Sequence, residues 1–401
     1  MYFRDPSIKL VFWGVTKMKH VLIEGWRGIN QSIAMVNQYQ LIELMKIDSV
    51  NIYHRDLPFH NPSWNEIDSD SGFPPDIKEL IKSVPPPEWG WYDCVYWNCI
   101  KGRQRKPRPL ADKIITYLIT EFGLKREDYL ESDIESYCKN DNFVVVPTQW
   151  VRSKVIDFGF PEDKVVLVPH GVNPDFFYPL PADERFEFRK QIVATPDHFV
   201  FLNVGAMTWN KGIDLLVRAF ADIRSRHAHA RLVLKDNTKL YSYGIDNVLQ
   251  NLSAEFPDLI TDEMRESIVL LRSTLSLHQM RMLYGSADAY ISPYRAEGFN
   301  LPVIEAIACG TRAIVTAGGA TDDFCRKETT LYIESNHVEN SSINLDVPGY
   351  HLEPKLESLI EQMEIAIKSR DEVSESVSVG VQNLIRDYSW ETCTRQLVNL
   401  F

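Results

Sequence analysis

The chain has 401 residues and a formal net charge of −12, which argues against the basic footprint of a nucleic-acid binder without excluding a local basic patch, so no nucleic acid is expected as a partner. Hydrophobic residues at 44% and charged residues at 24% describe an ordinary globular protein rather than a disordered one. The length implies two domains, each large enough for its own core, and no stretch approaches the roughly 18 apolar residues of a membrane span.

Residues 1–17 hold Arg4, Asp5 and Lys9 before a short apolar run, a poor signal peptide. The first strand is expected over 20–24, followed by the turn GWRGIN at 25–30. An amphipathic helix over about 31–46 follows, with Ile33, Met35, Val36, Leu41, Leu44 and Met45 at helical spacing and Asn30 as N-cap. A second strand covers 50–53 and leads into His54–Arg55–Asp56. Residues 58–90, rich in Pro, Ser, Asp and Trp, read as a long irregular insertion. Strands are expected at 92–97 and 143–147, the latter followed by a helix capped by Thr148. Between them Lys101, Arg103, Arg105, Lys106 and Arg108 form the strong basic cluster. It reads either as a solvated loop or as a contact for anionic lipid head groups or a phosphorylated acceptor.

One more strand at 165–168 precedes the interdomain linker, 170–181, which begins at His170. The alternation then repeats with a strand at 199–204 and a helix at 212–226 carrying the stripe Ile213, Leu216, Phe220 and Ile223. Strands at 231–234 and 268–270 come next, then a helix at 276–285 capped by Ser276. Strand–helix alternation in both halves implies two doubly wound parallel sheets, whose ligands bind beyond the strands' carboxyl ends in a cleft between the domains. The six cysteines are scattered without zinc spacing and read as reduced thiols of a cytoplasmic protein; Cys309 lies in an apolar helix.

The richest segment is EGFNLPVIE, 297–305, after the buried strand 289–293. Pro302 suits the first turn of a helix that stops at Gly310. Glu297 then sits at a strand's carboxyl end and Glu305 about one turn into the next helix. The free N–H groups of Gly298, Phe299, Asn300 and Leu301 crowd the helix start between them, an anion site. One carboxylate suits a sugar hydroxyl, the other a ribose diol, with a diphosphate on the amides.

This segment resembles the E-G-F-G-L-P-x-x-E-A signature of the retaining GT-B glycosyltransferases of family 4. VPTQWVRSKVIDFGFPEDKVVLVPHGVN (146–173), FLNVGAMTWNKGIDLLVRAF (201–220) and DYSWETCTRQL (387–397) resemble the family's other landmarks in the family's order, covering roughly 143–401. The resemblance implies two Rossmann-like domains: an acceptor-side domain at 18–178 and a nucleotide-sugar-binding domain at 179–378. A terminal segment, 379–401, would cross back onto the first. Family members commonly begin near the first strand, so Met18 is read as the natural start or 1–17 as a non-essential extension. An intact mass beginning at Met1 would exclude Met18 as the start.

By the resemblance Glu297 contacts the transferred sugar, Glu305 holds the ribose, and Lys211 neutralises the diphosphate of a UDP- or GDP-sugar without a metal. The acceptor is a glycan, a lipid-linked intermediate or a small molecule, met in the cytoplasm or at the cytoplasmic face of a membrane. Two departures stand out. The second signature glycine is Asn300, the non-glycine type most tolerant of positive φ. The usual V-G-R arginine is absent from Val204–Gly205–Ala206, leaving Arg27, Lys235 or Arg295 as substitutes, Lys235 preferred. Gly28 is expected to let backbone approach the phosphates, and His54 and Arg27 are acceptor-side candidates. Asp68–Ser69–Asp70 has the D-x-D form that binds metal in another glycosyltransferase fold, but it lies in the polar insertion rather than after a strand. A nicotinamide-dependent oxidoreductase would need G-x-G-x-x-G after a strand, which is missing. A binding protein that kept the fold and lost catalysis is the remaining alternative.

Overall fold

The computed structural model describes residues 18–88, 90–98, 110–125, 134–135, 141–192, 195–237, 240–241, 243–370 and 374–401. The 1–17 segment and the basic cluster of Lys101, Arg103, Arg105, Lys106 and Arg108 lie outside the described residues.

Runs such as FVVV and AYIS suit parallel strands, which are covered on both faces and therefore apolar throughout. Among the described residues the first sheet comprises β1 (Lys19–Gly25), β2 (Val50–Asp56), β3 (Trp91–Asn98), β4 (Leu110–Tyr117), β5 (Phe143–Val146) and β6 (Val165–Leu167). The second comprises β7 (Phe199–Val204), β8 (Ala230–Lys235), β9 (Ile268–Leu271), β10 (Ala289–Ser292), β11 (Arg312–Thr316) and β12 (Thr330–Ile333). An antiparallel hairpin, β13 (Ser335–Glu339) and β14 (Tyr350–Pro354), is appended to it. The strand orders are β2-β1-β3-β4-β5-β6 and β12-β11-β10-β7-β8-β9, and the pairings within each are parallel.

Each order reverses direction once, between β1 and β3 in the first sheet and between β7 and β10 in the second. Loops leaving neighbouring strands there diverge to opposite faces and open a crevice. In the second sheet that crevice lies between the loop after β7 and the loop after β10, which holds Glu297. The helix Ile213–Arg226 backs this sheet through Ile213, Leu216, Phe220 and Ile223, all fully buried, as the apolar stripe predicts.

Several expectations need correction. The helix Ser32–Leu44 is capped by Gln31, not Asn30: the Gln31 side-chain oxygen accepts from the Ile33 and Ala34 N–H groups at 2.7 and 3.2 Å. Asn30 instead donates its backbone N–H to the Ser69 carbonyl. Nor is this helix amphipathic in its setting, since Asn37, Gln38, Gln40 and Glu43 are buried along with its apolar residues. The terminal helix Trp390–Val398 lies against it, with Trp390 stacked on Tyr39 at 5.0 Å, so the chain's end does cross back onto the first domain. The 58–90 insertion is not wholly irregular. It contains the helix Pro75–Lys82, and its Trp64 packs edge-on against Trp26 at 5.7 Å while donating its indole N–H to the Leu240 carbonyl of the second domain. Strand β4, absent from the sequence reading, lies in the middle of the first sheet.

Candidate donor site

At the end of β7 the chain turns at Gly205, φ +147°, whose N–H donates to the Lys235 carbonyl at 3.1 Å. A single turn, Trp209–Lys211, and Gly212 at φ +69° then start the long helix. Gly212 is required by space as well as by conformation, because a Cβ there would lie 1.9 Å from the Pro293 carbonyl oxygen. That close approach brings Lys211 to the loop after β10.

The Lys211 Nζ lies 2.8 Å from Glu297 Oε1 and 3.1 Å from Glu121 Oε1. Burial disfavours the ammonium, but the Glu121 and Glu297 carboxylates outweigh it and raise its pKa, so Lys211 stays charged. Burial pushes the Glu297 carboxyl up to about 7, with Lys211 pulling it back and Glu121 raising it. A carboxyl poised near neutrality can accept or donate a hydrogen bond at a sugar hydroxyl.

Asn300 precedes the short helix Leu301–Ala308 in the left-handed region, φ +79°, and its side-chain amide donates to Ser292 Oγ at 2.9 Å. Asn therefore takes the conformation a glycine would supply, and its side chain is anchored on β10. Pro302 stands in the first turn, and Phe299 is buried between His170 at 4.6 Å and Phe324 at 4.9 Å. Leu301 is half-buried. Gly298 is where the first domain closes down: a Cβ would meet Ile119 Cγ1 at 2.4 Å, and Thr148 Oγ1 donates to the Gly298 carbonyl at 3.0 Å. One turn into the helix, the half-buried Glu305 accepts from the Tyr284 hydroxyl at 2.8 Å. Burial pushes Glu305 up to about 7 against the pull of that hydrogen bond.

The other candidates distribute unevenly. Lys235 lies beside Gly205 at the end of β8, 6% exposed, with its Nζ donating to the Asp236 carbonyl at 2.6 Å. Burial brings its pKa down to about 8, with Asp236 opposing. Arg295 braces the site from behind, bound to Asp214 at 2.7 and 2.9 Å, to Glu353 at 2.7 and 3.0 Å, and to the Trp209 carbonyl. Arg27 is held by Asp56 at 2.8 Å and the Ile81 carbonyl at 2.9 Å. Of the three cations expected to replace the missing arginine, these two already have their guanidinium groups engaged. Gly28 has the positive φ it was chosen for, +85°, but its N–H donates to Gln38 Oε1 at 3.0 Å rather than standing free. His54 is only 2% exposed, with its Nε2 2.8 Å from Asn37 Nδ2. Burial and then Arg27 bring its pKa down to about 3, so it is a neutral interior group that offers an acceptor no open surface. His170 is likewise buried, 2.8 Å from the Tyr117 hydroxyl. Of the D-x-D pair, Asp70 is bonded to Lys78 at 2.6 Å, and among the described residues no three metal-ligating side chains cluster.

Two side chains of the site escaped the sequence reading. Glu121 follows β4 on the first domain, and Tyr284 belongs to the helix Leu277–Ser286. Neither stands in a motif; each is recognised only by its partner.

Residues 184–347 match the family described as Glycosyl transferases group 1. An uncharacterized glycosyltransferase of Methanocaldococcus jannaschii is 31% identical over 172 residues, 43% of this chain and 41% of that protein. A lipopolysaccharide 1,2-N-acetylglucosaminetransferase of Salmonella typhimurium is 25% identical over 260 residues, 64% of this chain and 61% of that protein. These matches thus span 41% and 61% of the relatives' own lengths. An Anabaena protein crystallised with UDP and glucose superposes with a TM-score of 0.65 at 13% identity, covering 95% of this chain and 98% of that one. The two-domain α/β arrangement is the GT-B fold, and the segment that matches Glycosyl transferases group 1, 184–347, lies in its second domain.

Proposed function

We propose that the protein is a retaining glycosyltransferase of family 4, moving a hexose-type sugar from a UDP- or GDP-sugar to a glycan, lipid-linked or small-molecule acceptor. The observation that carries this reading is the pair of half-buried Lys211 and buried Glu297 at the switch point of the second sheet, with Glu305 on the helix that starts from the same loop. The group 1 segment and the UDP and glucose of the Anabaena relative's crystal support a nucleotide-sugar donor.

Each group has a task in such a transfer. The Lys211 ammonium stabilises the charge that develops on the leaving diphosphate, so the reaction proceeds without a metal. The amides of 298–301 add the positive end of a helix. Glu297 orients the transferred sugar and Glu305 takes the ribose hydroxyls. The leaving phosphate helps deprotonate the acceptor on the same face of the sugar, which gives retention without a carboxylate nucleophile. Acceptor binding belongs to the first domain, and the basic cluster of Lys101, Arg103, Arg105, Lys106 and Arg108 would carry any contact with a cytoplasmic membrane face. Among the described residues no helix is long and apolar enough to cross a membrane. One observation favours a binding protein without turnover instead: Ala206 stands where the family's phosphate-binding arginine would be.

Thermal shifts with UDP, GDP and ADP and their sugar conjugates test the reading. A nucleotide at 100 times its Kd adds about 2.7 kcal/mol of stability, and Glu305→Gln is expected to lose most of it. Silence with every nucleotide would remove the donor site. Binding without turnover over a broad acceptor panel would favour the degenerate binder.

The binding should also depend on pH. A carboxyl whose pKa rises from 4.5 to about 7 stabilises the fold when protonated, fully below 4.5, and that contribution disappears as pH rises through about 7. A nucleotide that needs the ionised carboxylate therefore binds more tightly as pH rises from about 6 to about 8, by up to about tenfold. Calorimetric titration at both ends checks this, and a flat profile would remove Glu305 from ribose recognition.

A further inference from the structure

We propose that Glu121 is an anionic gate on the donor site, occupying on Lys211 the place that the donor diphosphate must take and thereby setting donor affinity. This rests on the donor-site reading above. Glu121 reaches across from the first domain and spans two donors of the turn after β7: Oε1 is 3.1 Å from Lys211 Nζ, and Oε2 accepts from Asn210 Nδ2 at 2.7 Å. A pair of phosphate oxygens would make the same two contacts.

The two carboxylates on Lys211 differ in accessibility. The Glu297 side chain is 8% exposed, whereas that of Glu121 is 38% exposed. Glu297 is the fixed partner and Glu121 the exchangeable one. The charge count favours an exchange. One ammonium already faces two carboxylates, Arg27 and Arg295 are engaged by Asp56, Asp214 and Glu353, and Lys235, bonded to the Asp236 carbonyl, is the one further cation weighed for the phosphates. A diphosphate arriving with two or more negative charges meets Glu121 as a like charge on the same cation, which is strongly unfavourable at such distances.

The backbone under Glu121 is held in place, so only its side chain has to move. Trp150 donates its indole N–H to the Glu121 carbonyl at 3.0 Å, and Phe122 stacks on Trp209 with 6.2 Å between ring centroids and 11° between planes. The Phe122 carbonyl accepts from Lys154 at 3.1 Å and Asn340 at 3.3 Å. Gly123, φ +151°, passes so close to Pro348 that a Cβ would lie 2.3 Å from its carbonyl oxygen.

Calorimetric titration of UDP and GDP into the wild type, Glu121→Gln, Lys211→Ala and the double variant tests the gate. Removing the carboxylate charge is expected to tighten nucleotide binding about tenfold, to lower the donor KM more than it changes kcat, and to have no effect once Lys211 is gone. A purely structural role for Glu121 would not vanish with Lys211. Glu121→Asp keeps the charge on a stem one methylene shorter and should fall between wild type and Gln, which keeps the test open if the Gln variant folds poorly. If the wild type binds nucleotide and Glu121→Gln binds equally or less well, the gate is wrong and the donor site stands. If neither binds any nucleotide, the donor-site reading falls and takes the gate with it.

Discussion

Lys211→Ala is expected to lower kcat for sugar transfer, or for slow donor hydrolysis where the acceptor is unknown, by about 10²–10³-fold, the usual loss when one preorganised group facing a developing charge is removed. The physical case is the fixed position of the cation. Lys211 is set by the Trp209–Lys211 turn and held by Glu297, the partner that stays when Glu121 gives way, so its position is fixed before the proposed transfer begins. Deletion also leaves the two carboxylates facing each other without a cation, and the Glu297 pKa, already pushed up to about 7, must rise further. Lys211→Arg is not expected to restore the rate, since a planar guanidinium does not present charge as a compact ammonium does. Steady-state kinetics with a matched nucleotide-sugar provide the check. A kcat within tenfold of wild type for Lys211→Ala would mean that the charge on the leaving group is handled elsewhere, with Lys235 the next candidate.

Gly212→Ala should be the most damaging methyl group that can be added near the site, costing about 3 kcal/mol or more of stability and abolishing nucleotide binding. Two terms combine. A non-glycine residue at φ +69° costs about 1–2 kcal/mol by itself. The new Cβ would also lie 1.9 Å from the Pro293 carbonyl oxygen, and a backbone atom cannot rotate away as a side chain can. Relief requires the loops after β7 and β10 to separate, which draws Lys211 away from Glu297. Gly159→Ala isolates the first term. Gly159 also has positive φ, +120°, but a Cβ there meets nothing within 4 Å, so the loss should stop near the conformational cost alone, about 2 kcal/mol. Urea denaturation of both variants measures the difference. Equal losses at the two positions would show that the loops are not held as closely as the Pro293 contact requires.

Much of the architecture was legible because it is written locally. Alternating apolar runs and helical stripes suffice for two doubly wound sheets, and Glu297, Asn300, Pro302 and Glu305 are spaced by the turn and helix they themselves form. Asn300 was expected to tolerate positive φ and does adopt it. Errors arose where the decision was not local. Asn30 is the better N-cap by type, yet Gln31 caps the helix, because Asn30 is drawn into pairing with Ser69 of the insertion. LADKIITY has too mixed a pattern to announce β4; it is a strand because β3 and β5 supply hydrogen bonds on both sides. His54, Arg27 and Gly28 have the right residue types near the right strand ends, but their polar atoms are taken by Asn37, Asp56 and Gln38.

The sequence by itself determined the fold class and the spacing of Glu297 and Glu305 about a helix start, because backbone preference and side-chain spacing act over a few residues; Lys211 was singled out by the resemblance alone. Only the tertiary structure decided that Glu121, 90 residues from Lys211, shares its ammonium, and that Arg295 and Arg27 are already engaged. Those outcomes depend on how two domains approach across a cleft and on which charges meet there. No local pattern carries that information, since Coulombic pairing depends on distance in space and is indifferent to separation along the chain.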